Sequence, residues 1–166
     1  MAIVTLVTGG NIGNRYDSLS EAQRAVEERI GDVLVSSSYY ESEPWGFDSD
    51  LPFINQALIV STKLSPYEVL EEIKRIEIAV GRTSKSSNGV YTDRIVDIDI
   101  IFYDNLVMFD DPELIIPHPH MHKRRFVLEP LNEIASKLVH PTKRISVEAL
   151  LHACIDTNKV YSARSI

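Results

Sequence analysis

The ten residues Arg94-Ile95-Val96-Asp97-Ile98-Asp99-Ile100-Ile101-Phe102-Tyr103 read as a strand that carries two carboxylates where a core strand would carry apolar side chains. Successive side chains of a strand point to opposite faces, so Asp97 and Asp99 share one face and Val96, Ile98, Ile100 and Phe102 the other. At a rise of about 3.3 Å per residue the aspartate Cα atoms lie roughly 6.6 Å apart, close enough for the carboxylates to converge on one or two hard cations. Without a cation the pair repels. The competing reading is an edge strand with two solvated aspartates.

Basic groups accompany the acids. Arg82, Arg94, Arg124 and Arg125, with Lys85, belong to no apolar stripe. A polyphosphate held through divalent cations needs both kinds of group, because metal ions bridge its oxygens and guanidinium groups match the remaining charge bidentately. His118, His120 and His122 invite a zinc reading, but Pro117 and Pro119 exclude the i, i+4 helical arrangement and Cys154 is the only cysteine. A histidine on a phosphate or ribose fits better. No Gly-x-Ser-x-Gly elbow occurs, and Gly9-Gly10-Asn11-Ile12-Gly13 lacks the lysine and hydroxyl residue of a Walker loop, so it reads as an architectural turn.

The elements that must position these groups are legible from pattern. Ile3 to Thr8 is a β-branched strand closed by the Gly9–Asn14 turn. Leu19, Ala22, Val26 and Ile30 recur at helical spacing from about Tyr16 until Gly31. Val33 to Tyr40 and Phe53 to Thr62 read as neighbouring strands joined by an irregular segment around Pro44 and Gly46. Ser65-Pro66-Tyr67-Glu68 combines a serine N-cap, a proline at the first helical position and a capping-box glutamate; Val69, Ile73, Ile76 and Val80 continue it as a buried stripe. Thr83 to Gly89 is small and polar, which predicts a mobile loop, a lid, beside the acidic strand. Beyond Tyr103 come an Asp-Asn turn, a short apolar strand, the Pro117-His118-Pro119-His120 segment, a partly helical stretch from Arg125 to Ile134, and a helix capped by Ser146 through His152.

The order β, α, β, β, α, β predicts an α+β fold with a ferredoxin-like βαββαβ core, two helices on one face of an antiparallel sheet and the other face open or covered by loops. The 166 residues suffice for one domain, 1–166. A net charge of −7 argues against a nucleic-acid-coating surface, no apolar run reaches the roughly 20 residues of a membrane helix, and a lone cysteine suits a reducing cytoplasm.

Gly10-Asn11-Ile12-Gly13, Ser38 to Gly46, Phe53-Ile54-Asn55, Arg75-Ile76-Glu77 with Gly81-Arg82, Arg94 to Asp99, and Ile116-Pro117-His118-Pro119 with Arg124 to Leu128 occur in that order. The set resembles the 6-hydroxymethyl-7,8-dihydropterin pyrophosphokinases of folate biosynthesis over about Thr5 to Leu131. The resemblance implies transfer of the terminal pyrophosphoryl group of ATP to the hydroxymethyl oxygen of a reduced pterin, with release of AMP. It implies that Asp97 and Asp99 hold two magnesium ions and that Arg82 and Arg94 reach the phosphates as catalytic groups. Asn55 would read the pterin edge between Phe53 and Phe126, with Ser42, Glu43 and Trp45 giving mostly backbone contacts. Lys74, Glu77, His118 and Arg124 would surround ATP. The partners implied are ATP and the pterin, on a monomer or weak homodimer. Tyr91-Thr92-Asp93-Arg94 departs from the family's usual Trp-Gly-Pro-Arg, putting Tyr91 where a tryptophan helps seal the lid. Two rivals share these features: another two-metal nucleotidyl transferase or cyclase, and a non-catalytic pterin or nucleotide-binding module.

Overall fold

The computed structural model describes residues 1–43, 52–81 and 95–163. Strand β1 (Ala2–Gly10) is buried from Val4 onward because it has a neighbour on each side. It runs through Gly9 and Gly10, so the glycine pair expected to form a turn belongs to the strand, and the chain leaves the sheet only at Asn11. Helix α1 (Arg15–Arg29) starts where the Asn14 side chain accepts from Asp17 N at 3.2 Å, and it buries Leu19, Ala22 and Val26. Strands β2 (Gly31–Ser36) and β3 (Tyr39–Ser42) pair with successive stretches of β4 (Phe53–Thr62) and act as one interrupted strand. At the interruption Ser37 keeps the ladder closed: its N–H donates to Ala57 O and its hydroxyl accepts from Ala57 N, both at 2.9 Å.

Helix α2 (Pro66–Val80) begins with the capping box, Ser65 and Glu68 exchanging side-chain-to-backbone bonds, and buries Val69, Ile73 and Ile76. Strand β5 (Asp97–Tyr103) lies antiparallel to β1. The hairpin β6 (Met108–Asp111) and β7 (Leu114–Ile116) follows, then a short 3-10 turn, helices α3 (Arg125–Ala135) and α4 (Val147–Ala153), and strand β8 (Val160–Ala163). The sheet order β5-β1-β4-β3-β8, with β2 beside β4, contains the antiparallel ferredoxin-like core and adds β8 at one edge, a strand with no signal in the sequence pattern.

Two cores result. Val4, Leu6, Ile98 and Ile100 pack under α1 and α2; Val7, Ala57, Ile101 and Phe102 pack under α3 and α4. The second face is therefore covered by helices rather than left open or to loops. The stretch expected to be partly helical is a continuous helix through Pro130, because Val127, Leu128, Pro130 and Leu131 are all buried in α3 and packing outweighs the proline's local cost.

A bulge also changes the reading of β5. Thr5 pairs with Phe102 and Leu6 with Ile100, leaving Ile101 over. An extra residue in one strand turns the chain, so Ile101 and Phe102 both enter the second core. Phe102 thus does not share the face of Ile98 and Ile100, as strict alternation had it. Upstream of the bulge the alternation holds.

Candidate active site

Register places the polar residues. Directly opposed residues of antiparallel strands share a face, so Asn55, Gly9 and Asp97 form one row across β4, β1 and β5, and Ala57, Val7 and Asp99 the next. Ala57 and Val7 belong to the core under α3, so both aspartates lie on that face, at the rim beyond its apolar part. Phe53, two residues before Asn55, lies on the same face of β4. Two strand spacings, about 9.6 Å, separate the backbones of Asn55 and Asp97.

Asn55 is 4% exposed, and its Oδ1 accepts from the Ser42 hydroxyl at 3.3 Å. Ser42 therefore presents its side chain to the amide. Phe126, in the first turn of α3, is half-buried against the second core, and the Arg124 guanidinium lies over its ring at 5.8 Å. Arg124 Nε is buried without a hydrogen-bond partner, a donor with its capacity unspent. Glu43 is exposed at the end of β3.

Glu77 joins the acidic pair from α2. It accepts from Ile98 N at 2.8 Å and hydrogen-bonds the Asp97 side chain. Burial, followed by the charges of Asp97 and Asp99, pushes its carboxyl up to about 8, against the downward pull of the Ile98 bond. The two aspartate charges beside it would favour a cation. Oxygen donors suit a hard ion, and Mg2+ keeps several ligand positions for water or phosphate, so a two-aspartate site fits it. Among the described residues no group of three His, Cys, Asp or Glu side chains is set to hold a metal ion by itself.

Beside Asp99 a pocket of about 220 Å³ is lined by Leu70, Ile98, Ile100, Leu114, Ile115 and His118, among others. It wraps the free edge of β5, apolar towards α2 and acidic towards Asp99. Glu113 stands at its wall, paired with Lys74 at 3.8 Å; both side chains are exposed. His118 is anchored by its own N–H to Ile101 O at 3.0 Å, and its Nδ1 accepts from His120 N at 3.1 Å. Burial, then Arg124 and His120, pushes the imidazole down to about 4, so at neutral pH it is uncharged with the proton on Nε2, free to donate.

Arg125 does not join the basic groups around the acids. Its Nε donates to Asp156 O at 3.0 Å and a terminal nitrogen reaches Glu129 at 3.2 Å, while its backbone N–H donates to Asp156 Oδ2 at 3.0 Å. It ties the C-terminal segment to the start of α3. Trp45, Arg82 and Arg94, with Lys85, Tyr91 and the expected lid, lie outside the described residues. Sequence reasoning did not single out Leu70, Leu114 and Ile115 of the pocket or Asp156, and it read Gly9 as part of a turn; only Gly9 leaves a signal, a glycine that follows a β-branched run, which marks close approach of another group.

An antiparallel α+β core with paired acids beside an apolar pocket, and a buried amide two strands away in the row of Asp97, has the outline of a group transferase. The family model for 7,8-dihydro-6-hydroxymethylpterin-pyrophosphokinase (HPPK) matches residues 5–136. A 2-amino-4-hydroxy-6-hydroxymethyldihydropteridine pyrophosphokinase of Porphyromonas gingivalis is 44% identical over 141 residues, 85% of this chain and 95% of the relative. The enzyme of the same name from Haemophilus influenzae is 36% identical over 149 residues, 89% of this chain and 91% of its own. Wild-type Plasmodium falciparum HPPK-DHPS shares the fold with a TM-score of 0.74 at 17% identity; the match covers 91% of this chain and 44% of that longer one. The chain belongs to the HPPK family. It is a pyrophosphokinase of folate biosynthesis, in a family whose enzymes use ATP. No helix among the described residues is long and apolar enough to cross a membrane.

Proposed function

We propose that Asp97 and Asp99 hold the Mg2+ that accompanies ATP, as two ions, while Asn55, two strands away in the row of Asp97, reads the pterin. The observation that carries this is the register itself: Asn55 and Asp97 face the same way in one row across three strands. The apolar pocket beside Asp99 suits a purine base, bringing its triphosphate to the aspartates around the edge of β5. Glu77 and Lys74, with a neutral His118 donating from Nε2 and Arg124 offering its unspent Nε–H, surround that path. Arg82 and Arg94 are the catalytic cations of this reading, by family resemblance.

The pterin lies between Phe53 and Phe126, its polar edge read by Asn55, with Ser42, Glu43 and Trp45 along its border. Stacking with a two-atom amide is an economical way to recognise a flat heterocycle. The hydroxymethyl oxygen then attacks the β-phosphorus: a new O–P bond forms, the bond from that phosphorus to the α-phosphate oxygen breaks, AMP departs and the hydroxyl proton is released. Bound Mg2+ supplies charge neutralisation along the triphosphate. The protein supplies alignment, and the buried Asn55 and half-buried Glu77 are held by hydrogen bonds before substrate arrives. The reading keeps the partners small, ATP and the pterin, without nucleic acid or membrane, on a cytoplasmic monomer or weak homodimer.

Nucleotide product analysis tests it. With Mg2+, ATP and 6-hydroxymethyl-7,8-dihydropterin the expected product is AMP, formed only when the pterin is present. ADP, or pyrophosphate released free, would overturn the reading in favour of another transferase.

A further inference from the structure

The row that joins Asn55 to Asp97 has no side chain at its centre. Gly9 pairs with Asn55 on one side and with Asp97 on the other, in the middle of the sheet. A Cβ placed on Gly9 would overlap Asn55 Nδ2, well inside van der Waals contact, while Asn55 Cγ would stand 3.4 Å away and Ile54 O 3.5 Å. The terminal nitrogen is the nearest atom, so the Asn55 amide leans off β4 and occupies the space above β1 that a side chain at position 9 would fill. Of the described glycines only Gly13 has positive φ, so the backbone at Gly9 is one that alanine adopts without strain. What forbids a side chain there is the amide, not the strand.

We infer that Gly9 is a positioning residue for pterin recognition: its bare backbone is the seat that lets Asn55 lie across β1 towards the aspartates. Ser42 holds the amide's oxygen from the β3 side, at 3.3 Å, and Gly9 leaves room for its nitrogen on the β1 side. Together they fix where the pterin edge is read relative to Asp97, and so how far the hydroxymethyl arm must reach. A methyl group at position 9 pushes away the far end of a short side chain, a cheap displacement for the fold and a costly one for a reader that must meet a planar ligand edge within a few tenths of an ångström. The inference rests on Asn55 being the pterin reader.

The test compares Gly9→Ala, Asn55→Ala and the double variant in the intact protein, by calorimetric titration with the pterin and separately with Mg2+·ATP, alongside thermal melts. Gly9→Ala is expected to melt near the parent temperature, to bind the pterin about tenfold more weakly, an ordinary hydrogen-bond loss, and to bind ATP as the parent does. Because the methyl acts only through the amide, the double variant should bind the pterin no more weakly than Asn55→Ala alone. Unchanged pterin affinity in Gly9→Ala beside a defective Asn55→Ala overturns the inference, as do additive penalties. An unfolded Gly9→Ala overturns it too, since the strand rather than the amide would then have given way. A normal Asn55→Ala instead overturns the reading of Asn55 on which the inference stands.

Discussion

The face of the sheet under α1 and α2 is apolar apart from the buried, uncharged Thr8 and Gln56, whereas the face under α3 and α4 gives way to carboxylates partway along. On the first, Val4, Leu6, Val60, Ile98 and Ile100 meet Leu19, Val26, Val69 and Ile73. On the second, Val7 and Ala57 continue in the next row as Gly9 and Asn55, and β5 brings Asp97 and Asp99 instead of further aliphatic residues. The helices differ as well. Both α1 and α2 carry their own caps, Asn14 and Ser65, but α3 has no side-chain cap of its own and borrows Asp156 from 31 residues downstream. One face is a self-contained support; the other gives up apolar contact at one end to make room for chemistry.

If the comparison is right, the largest effect comes from the acids and leaves the fold intact. Asp97→Ala or Asp99→Ala should lower turnover by about a thousandfold or more, since the charge on the triphosphate is then left without its anchor. The melting temperature should hold or rise, because removing one carboxylate relieves the repulsion that already pushes Glu77 upward. Steady-state kinetics and thermal melts together decide this; a collapse of both variants would make the pair structural and erase the contrast between the faces. Leu19→Ala, fully buried under the opposite face, should do the reverse. It should cost about 2–5 kcal/mol of stability and leave the KM of both substrates unchanged in the folded fraction. A KM shift there would show that the two faces are coupled.

That division also explains how much could be read from the chain. The supporting face is built from repeated local signals: Ser65-Pro66 with Glu68, Leu19 with Ala22 and Val26, alternation along Phe53 to Thr62. Each is a short-range consequence of helix or strand geometry. The βαββαβ order and the shared face of Asp97 and Asp99 follow from the same rules. The other face depends on events that are not local. The bulge at Ile101 exists only as a register between β1 and β5, and it sends Phe102 to the side that alternation denied it. Helix α3 persists through Pro130 because Leu128 and Leu131 are buried beneath it, and β8 is a strand only because β3 offers an edge. Gly9 and Gly10 look like a turn until β4 and β5 are laid beside them. The roles of Asn55, Phe53 and Phe126 were reached through family resemblance, since composition alone makes them ordinary core.

The borrowed cap sharpens the comparison further. Asp156→Ala leaves Arg125 N–H and Asn158 N–H without their side-chain acceptor, while Arg125 Nε keeps the backbone carbonyl of residue 156. A loss of about 1–3 kcal/mol is expected from the orphaned buried donors, smaller than at Leu19. Unlike Leu19→Ala, it should also weaken ligand binding, because Arg124 and Phe126 flank the tethered Arg125 and inherit its position. Calorimetry with ATP and with the pterin, set beside thermal melts, separates the outcomes: lost stability with unchanged affinities would mean the C-terminal segment merely covers the core.

The smallest expected signal is a slope rather than a loss, and it too distinguishes the faces. Glu77 ionises near the ordinary 4.5 in the unfolded chain and at about 8 in the fold, so between those values the folded protein holds a proton that the unfolded chain has released. Its contribution is therefore complete below about 4.5 and is lost as pH rises through 8. His118 works in the opposite sense: its folded value of about 4 lies below the ordinary 6.5, so its contribution is present above 6.5 and is lost as pH falls towards 4. Between 6.5 and 8 the Glu77 slope stands apart from that of His118. Thermal melts in EDTA across this window should show the parent losing stability as pH rises, and Glu77→Gln, which has no proton to lose, should flatten the decline. Saturating Mg2+ should flatten it in the parent as well, because a cation between the aspartates offsets the charge that made ionisation of Glu77 costly. Parallel slopes for parent and Glu77→Gln would place the acidic cluster in ordinary solvent and remove the electrostatic difference between the two faces.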